Sequence, residues 1–421
     1  MIMAMIRPET EMKDSGVQWI GDIPSDWNIK PLYACLDEIN QKNNPVVTTN
    51  ILSLTNTDGV VPYSERGNQG NKSKENFEEY KVVYPNTIVA NSMNILIGSV
   101  GLSKYEGCVS PVYYVYMAKP QVDVRYMNYL FQMEPFQKRL RQFANGILEI
   151  RLRVSSHDIL HQKVAVPDYD EQQTIADYLN ETCSKIDEII AEAKASIDEY
   201  EKLRQATIDE NILGYDSVHI KLRQLGSLKN GLNFSHSDDV ANIKFLGVGC
   251  FKDNMILSEV ADFADEHIDF EISEEYLLSN GDIVFVRSNG SKELVGRSIM
   301  VENIDYPVTF SGFCIRFRNM HPELVDNRFL LYYFRTTHFK QSLLKYSNDS
   351  TNINNLNQEM LNAIRINAPV IGEQKLLVKK VEEQVLMIDS LISEKESLIN
   401  DLEAYKKSLI YEVITGKRRV V

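Results

Sequence analysis

Two stretches of the chain carry apolar side chains at alternating steps of four and three. In residues 171–214 they are Leu179, Cys183, Ile186, Ile190, Ala193, Ile197 and Tyr200. In residues 373–416 the series is Val381, Val385, Ile388, Ile392, Lys395, Ile399 and Leu402, with Lys395 as a charged interruption. A seven-residue repeat lets two helices wrap around one another, so each stretch is predicted to be a long helix with a coiled-coil seam. Pro167 and Pro369 stand before the two stretches and Gly214 and Gly416 close them, the expected punctuation of a helix. The stretches align without a gap at an offset of 202 residues, pairing Glu171-Gln172 with Glu373-Gln374 and Ile186-Asp187 with Ile388-Asp389. A duplicated long helix organises the chain.

A block of different pattern precedes each helix. Residues 15–32, SGVQWIGDIPSDWNIKPL, are dense in turn formers and carry two Trp, read as a lead-in whose aromatics dock on the following domain. From Val46 to Lys119, short β-branched and aromatic runs (VVTTNILSL, YKVVYPNTIVAN, SPVYYVYMA) alternate with Gly, Asn and Pro, which predicts the strands of a β-rich mixed domain. Arg125–Phe143 reads as an amphipathic helix with a break at Pro135, and KVAVP (163–167) as an exit strand. The second block repeats this order with KFLGVGCF, NGDIVFVRSNG and FCIRFR, a helix over Arg328–Leu343, and the exit strand IRINAP (364–369). Arg125, Tyr129, Phe131 and Phe136 match Arg328, Tyr332, Phe334 and Phe339 at an offset of 203, whereas IVAN (88–91) meets IVFV (283–286) at 195. Offsets that change inside the blocks imply loop insertions on a shared scaffold. The predicted fold class is α+β: two β-rich domains, residues 1–166 and 215–368, each followed by a long helix, 167–214 and 369–421, the last with a basic tail.

Composition narrows the classes. With 421 residues, 43% apolar and 9% aromatic, the chain supports two or three filled cores. No apolar run reaches the ~20 residues of a membrane span, no signal peptide is evident, and five Cys without CxxC spacing exclude a disulfide framework or zinc ribbon. A cytoplasmic location is expected. The net charge of −14 gives nucleic-acid binding no support as a total. Divided up, residues 1–170 carry −2, 171–214 carry −7, 215–372 carry −5, 373–416 carry −3 and the tail +3, so the helices hold most of the excess. A rod so acidic is repelled by phosphate and is expected to face protein.

The chain resembles the specificity subunits of type I restriction–modification systems over nearly its whole length. GVQWIGDIPSDW (16–27) is similar to that family's opening segment. VAVPDYDEQQTIADYL and INAPVIGEQKLLVKKV are similar to its Pro-x-x-x-Glu-Gln lead-in to each conserved helix, and NGDIVFVRSNG with LVGRS (294–298) to the centre of a target-recognition domain. The first block departs here, because YPNTIVANSMN has neither the Gly-Asp nor the Arg. The resemblance implies two target-recognition domains, each reading one half of a split DNA site, separated by a pair of long antiparallel coiled-coil helices that dock methyltransferase subunits, two of them expected, with restriction subunits as further partners. A 44-residue helix at ~1.5 Å per residue is roughly 65 Å long, near two turns of B-DNA at about 34–36 Å each, which suits a spacer between readers. Differing blocks imply an asymmetric, bipartite target. The alternatives are a coiled-coil adaptor with protein-binding heads, or a specificity-like subunit of another phage-defence methyltransferase.

Reading bases calls for Arg, Lys, Asn, Gln, Ser or Thr on loops, with further cations on phosphates. In the second block Arg287, Ser288, Asn289, Ser291, Lys292 and Arg297 supply that chemistry, as do Asn348, Thr351 and Asn352 in the loop SNDSTNINNLNQ (347–358). In the first, Arg139, Arg141, Arg151 and Arg153, beside Lys138, make the densest basic cluster, and Lys72 and Lys74 lie in GNQGNKSKEN (67–76). The competing reading of each is a solvated polar turn or an ordinary charged helix face. His157 and His161 are spaced like a two-His zinc helix but lack the Glu and a third ligand. GVGCFK (247–252) is neither a dinucleotide fingerprint nor a phosphate loop, and no amino-methylation motif, S-adenosylmethionine loop or nuclease carboxylate set is present. The chain is expected to be non-catalytic and to hold no cofactor, with S-adenosylmethionine, ATP and Mg on partner subunits.

Overall fold

The computed structural model describes residues 4–55, 59–65, 76–144, 152–214, 218–234, 240–252, 254–288, 294–345 and 355–420. The chain divides into two compact units, Met1–Ala193 with Ser397–Val421 and Lys194–Glu396. The cut falls inside both long helices, Tyr169–Ile212 and Ile371–Ile414, so each unit holds one block, the near end of one helix and the far end of the other. The helices end where the sequence places their stops: Gly214 and Gly416 take φ of +94° and +74°, the left-handed conformation that only Gly adopts without cost.

In the first unit an antiparallel sheet runs in the order Val100–Leu102, Thr87–Asn91, Tyr113–Ala118, Leu36–Glu38. The second unit repeats that order with Ser298–Val301, Ile283–Val286, Cys314–Asn319 and Gly226–Asn230. It adds one strand, Ile256–Leu257, parallel to the Ser298–Val301 edge. The aromatic helices pack beneath these sheets in each core. Phe131 and Phe136 meet edge to face at 5.5 Å, and their counterparts Phe334 and Phe339 meet at 4.9 Å. Each such ring contributes ~1.5–3 kcal/mol by burial.

Both aromatic segments are two short helices. The first breaks at Met133, with Pro135 in the opening turn of Glu134–Arg141. The second, expected as one helix over Arg328–Leu343, breaks without a proline into Asn327–Tyr333 and Thr337–Leu344. Thr336 stands between, its hydroxyl accepting from Phe339 N.

The Glu-Gln lead-in has a mechanical role. Gln172, fully buried, accepts from Asp123 N at 2.9 Å and donates to Pro167 O at 3.0 Å. Gln374 accepts from Asp326 N at 2.8 Å and donates to Pro369 O at 2.7 Å and Leu324 O at 3.0 Å. Asp123 and Asp326 cap the aromatic helices, so each glutamine joins strand exit, long helix and cap at one point. The matched arginines complete the joint: Arg125 pairs with Asp123 and Asp177, and Arg328 with Glu302 and Glu382. Glu171 accepts from Trp27 Nε1 at 2.8 Å and Arg7 at 3.0 Å, which ties the lead-in to the long helix, while Trp19 meets Phe136 of the first block at 5.4 Å between ring centroids.

Within each unit the helix ends run antiparallel. In the first, Lys406 donates to Asp187 at 2.6 and 2.7 Å; in the second, Arg204 donates to Asp389 at 2.8 Å and Asn211 to Gln384 at 2.9 Å. Asp187 and Asp389 are duplicates at the 202-residue offset, as are Arg204 and Lys406. The same ion pair is therefore made twice, with the helices exchanging roles. Leu179, Cys183, Ile186, Ile190 and Ala193 of the predicted seam are buried, as are Val381, Val385 and Ile388. Ile197, Tyr200, Ile392 and Ile399 are half-buried. The strand Ala4–Ile6 pairs antiparallel with Arg418–Val420, and the five cysteines are buried and free. Among the described residues no helix is long and apolar enough to cross a membrane.

Candidate nucleic-acid interface

The segment NGDIVFVRSNG (280–290) begins at a turn built for rigidity. Gly281 takes φ +87°, and Asp282, 1% exposed, accepts from Ser279 N at 2.8 Å and from Arg318 at 2.6 and 2.8 Å. The Gly-Asp pair thus fixes the start of the strand Ile283–Val286. The first block builds the same turn from other residues. Asn86 takes φ +62° and the Thr87 hydroxyl donates to Tyr84 O at 2.7 Å. Asn visits the left-handed region more readily than other residues with a side chain, so a departure in sequence conceals an equivalence in structure.

Beyond that strand the candidate residues gather. Arg287 N donates to Phe313 O at 2.8 Å, its guanidinium Nη1 donates to Gly312 O at 3.3 Å, and its own carbonyl accepts from Leu356 N at 2.8 Å. Ser288 N also reaches Phe313 O, at 3.4 Å. Arg297 lies across the hairpin, its carbonyl accepting from Val286 N at 2.9 Å and its guanidinium donating to Lys252 O. One corner of the second unit therefore brings together Arg287, Ser288, Arg297 and the close of the Asn-rich loop, with Arg287 and Leu356 in contact although 356 − 287 = 69 positions separate them. Asn289, Ser291, Lys292, Asn348, Thr351 and Asn352 lie outside the described residues, as do Lys72, Lys74 and Arg151.

The first unit has the corresponding corner. Ser92, the counterpart of Arg287, accepts from Val154 N at 3.2 Å as Arg287 accepts from Leu356. Arg153, next to Val154, is exposed there. Arg139 and Arg141 sit on the helix Glu134–Arg141. Arg141 is exposed, while Arg139 donates to Gln162 at 3.1 Å and Gln142 at 2.5 Å and lies 4.7 Å from the Phe143 ring, so internal contacts employ much of it. His157 and His161 stack at 3.9 Å, and among the described residues no group of three or more His, Cys, Asp or Glu is placed to hold a metal ion.

Burial shapes the charge behind the second corner. Arg335 donates to Ser298 O at 3.0 Å, and loss of water, with Arg297 and Arg204 nearby, lowers its pKa to about 10. It stays cationic at neutral pH.

Sequence reasoning missed two residues of this corner. Phe313, 58% exposed, sits on the turn between Val308–Phe310 and Cys314–Asn319. Exposed Asn233 packs against Gly312, where a β-carbon would lie 1.9 Å from its Oδ1. The signal available was Ser311-Gly312-Phe313, a Gly beside a large apolar residue in a turn.

A family model described as type I restriction modification DNA specificity domain matches residues 24–199 and again 216–400. The specificity subunit of the type I restriction enzyme MjaVIII from Methanocaldococcus jannaschii is 24% identical over 431 residues, covering 94% of either chain. Among solved structures, a chain from work on complex assembly and conformational transition of a type I R-M system superposes with a TM-score of 0.72 at 12% identity, covering 94% of this chain and 99% of that one. The HsdS subunit from Thermoanaerobacter tengcongensis gives 0.51, also at 12% identity, over 94% and 98%. These likenesses show the fold, and the paired family match accounts for its duplication. The chain belongs to the type I restriction–modification specificity family and carries two of its DNA specificity domains.

Proposed function

We propose that this chain is the non-catalytic DNA-reading subunit of a type I restriction–modification complex, with a bipartite, asymmetric target and one half-site per block. One observation carries the reading. The two units repeat the same sheet order, glutamine joint and ion pair, yet differ at the corner where the candidate residues gather, Ser92 in one and Arg287 in the other. A shared scaffold with unlike corners is what two readers of unlike half-sites require. The acidic helices suit protein rather than phosphate, and we assign them to methyltransferase subunits, two of them, with S-adenosylmethionine, ATP and Mg held on partner chains.

The test exchanges residues 215–368 for those of a relative and sequences the methylome of a host carrying the partner subunits. One half-site should change and the other persist. A change in both halves, or in neither, would sink the assignment of one half-site to each block.

A further inference from the structure

We propose that Phe313 is a base-reading residue of the second block, its ring packing on the 5-methyl group of a thymine in the major groove. This rests on the DNA-reading function above. A single exposed apolar side chain is ordinary on a protein surface. Phe313 differs in how firmly its backbone is held. Its N–H donates to Ser311 Oγ at 3.2 Å, and its carbonyl accepts from Arg287 N at 2.8 Å and Ser288 N at 3.4 Å. On either side, Gly312 N donates to Leu232 O at 2.7 Å and Cys314 N to Ser311 O at 2.8 Å. The chain thus fixes a turn and leaves a phenyl ring 58% exposed at its tip.

The neighbours give the ring its partner. The Arg287 guanidinium is held on Gly312 O and Asn233 against Gly312, so guanidinium, amide and phenyl group stand around one residue. Those three groups match the chemistry of a base-pair edge: arginine for guanine acceptors, asparagine for adenine, and an apolar surface for the thymine methyl. A protein-binding patch would call for further apolar neighbours, and Arg287, Ser288 and Asn233 are polar. A neutral aromatic also contributes little to phosphate, which leaves the methyl group as the feature it can distinguish.

The measurement uses the assembled complex with its methyltransferase partner and oligonucleotides carrying the methylome-defined target. Each thymine is replaced in turn by uracil, which lacks only the 5-methyl group, and equilibrium binding is compared for wild type and Phe313→Ala. In wild type, one uracil within the half-site of the second block should weaken binding about fourfold, the effect of one buried methyl-sized group. Phe313→Ala should bind both forms equally at that position and leave the other half-site unchanged. Unaltered discrimination in the variant, or a half-site without a thymine that matters, would overturn the proposal. A thermal melt within a degree or two of wild type confirms that the variant is folded, and Phe313→Leu, which keeps an apolar surface, should retain part of the discrimination. Failure of the broader reading looks different, because the wild-type complex would then show no preference for its target over scrambled DNA.

Discussion

At the level of single residues, Asn86 and Gly281 make a sharper point than any shared motif. Both hold the chain at positive φ before a central strand, yet they align as a mismatch. The consequence is measurable. Asn86→Gly should leave stability within ~0.5 kcal/mol, while Asn86→Ala should cost ~1 kcal/mol, since alanine lacks the short polar side chain that makes the left-handed region tolerable. Gly281→Ala should cost more, because its β-carbon would also meet Asn327 Nδ2 at 2.5 Å. Urea unfolding of the three variants checks the order, and an Asn86→Ala as stable as Asn86→Gly would refute it. Sequence alone did not reveal this equivalence, because residue identity shows conformation only indirectly. It did single out Arg287, Ser288 and Arg297, since their types and their place after an apolar strand are visible in one dimension. Phe313 was hidden because its role depends on exposure, which apolar residues normally lack.

Among elements, the long helices were the most legible, their period, caps and duplication all being written in the sequence. The aromatic helix of the second block was less so. Its apolar pattern runs unbroken through Phe334, and the interruption comes from a cap at Thr336 that a continuous pattern conceals. The reciprocal ion pairs were not legible either, as pairing requires knowing how one helix faces another. They invite a double-mutant cycle. Reversing Asp187 to Lys should destabilise, and adding Lys406→Asp should restore the loss, with a coupling of ~0.3–1 kcal/mol for so exposed a pair. The cycle on Arg204 and Asp389 should give a similar value. A coupling of zero in both would reduce these contacts to ornament.

For the whole molecule, charge decides what the chain can do alone. With a net charge of −14, the isolated protein should bind duplex DNA weakly, and its complex with a methyltransferase partner should bind much more tightly. Titration by fluorescence anisotropy at several salt concentrations tests this, and tight, target-specific binding by the lone chain would refute the need for a partner. The twofold architecture was legible from the repeated helix, but the division of the molecule was not. Sequence suggests block, helix, block, helix, whereas each compact unit takes a portion of both helices. The paired contacts Asp187–Lys406 and Arg204–Asp389 have the reciprocity of a twofold association. An acid early in one helix copy meets a base late in the other, twice over, as it would if two identical half-length chains had once associated face to face. A chain of half the length, with one block and one helix, would carry both members of this ion pair and so the means to make both contacts with a second copy of itself; Lys406 in one helix copy and Arg204 in the other show that either base serves.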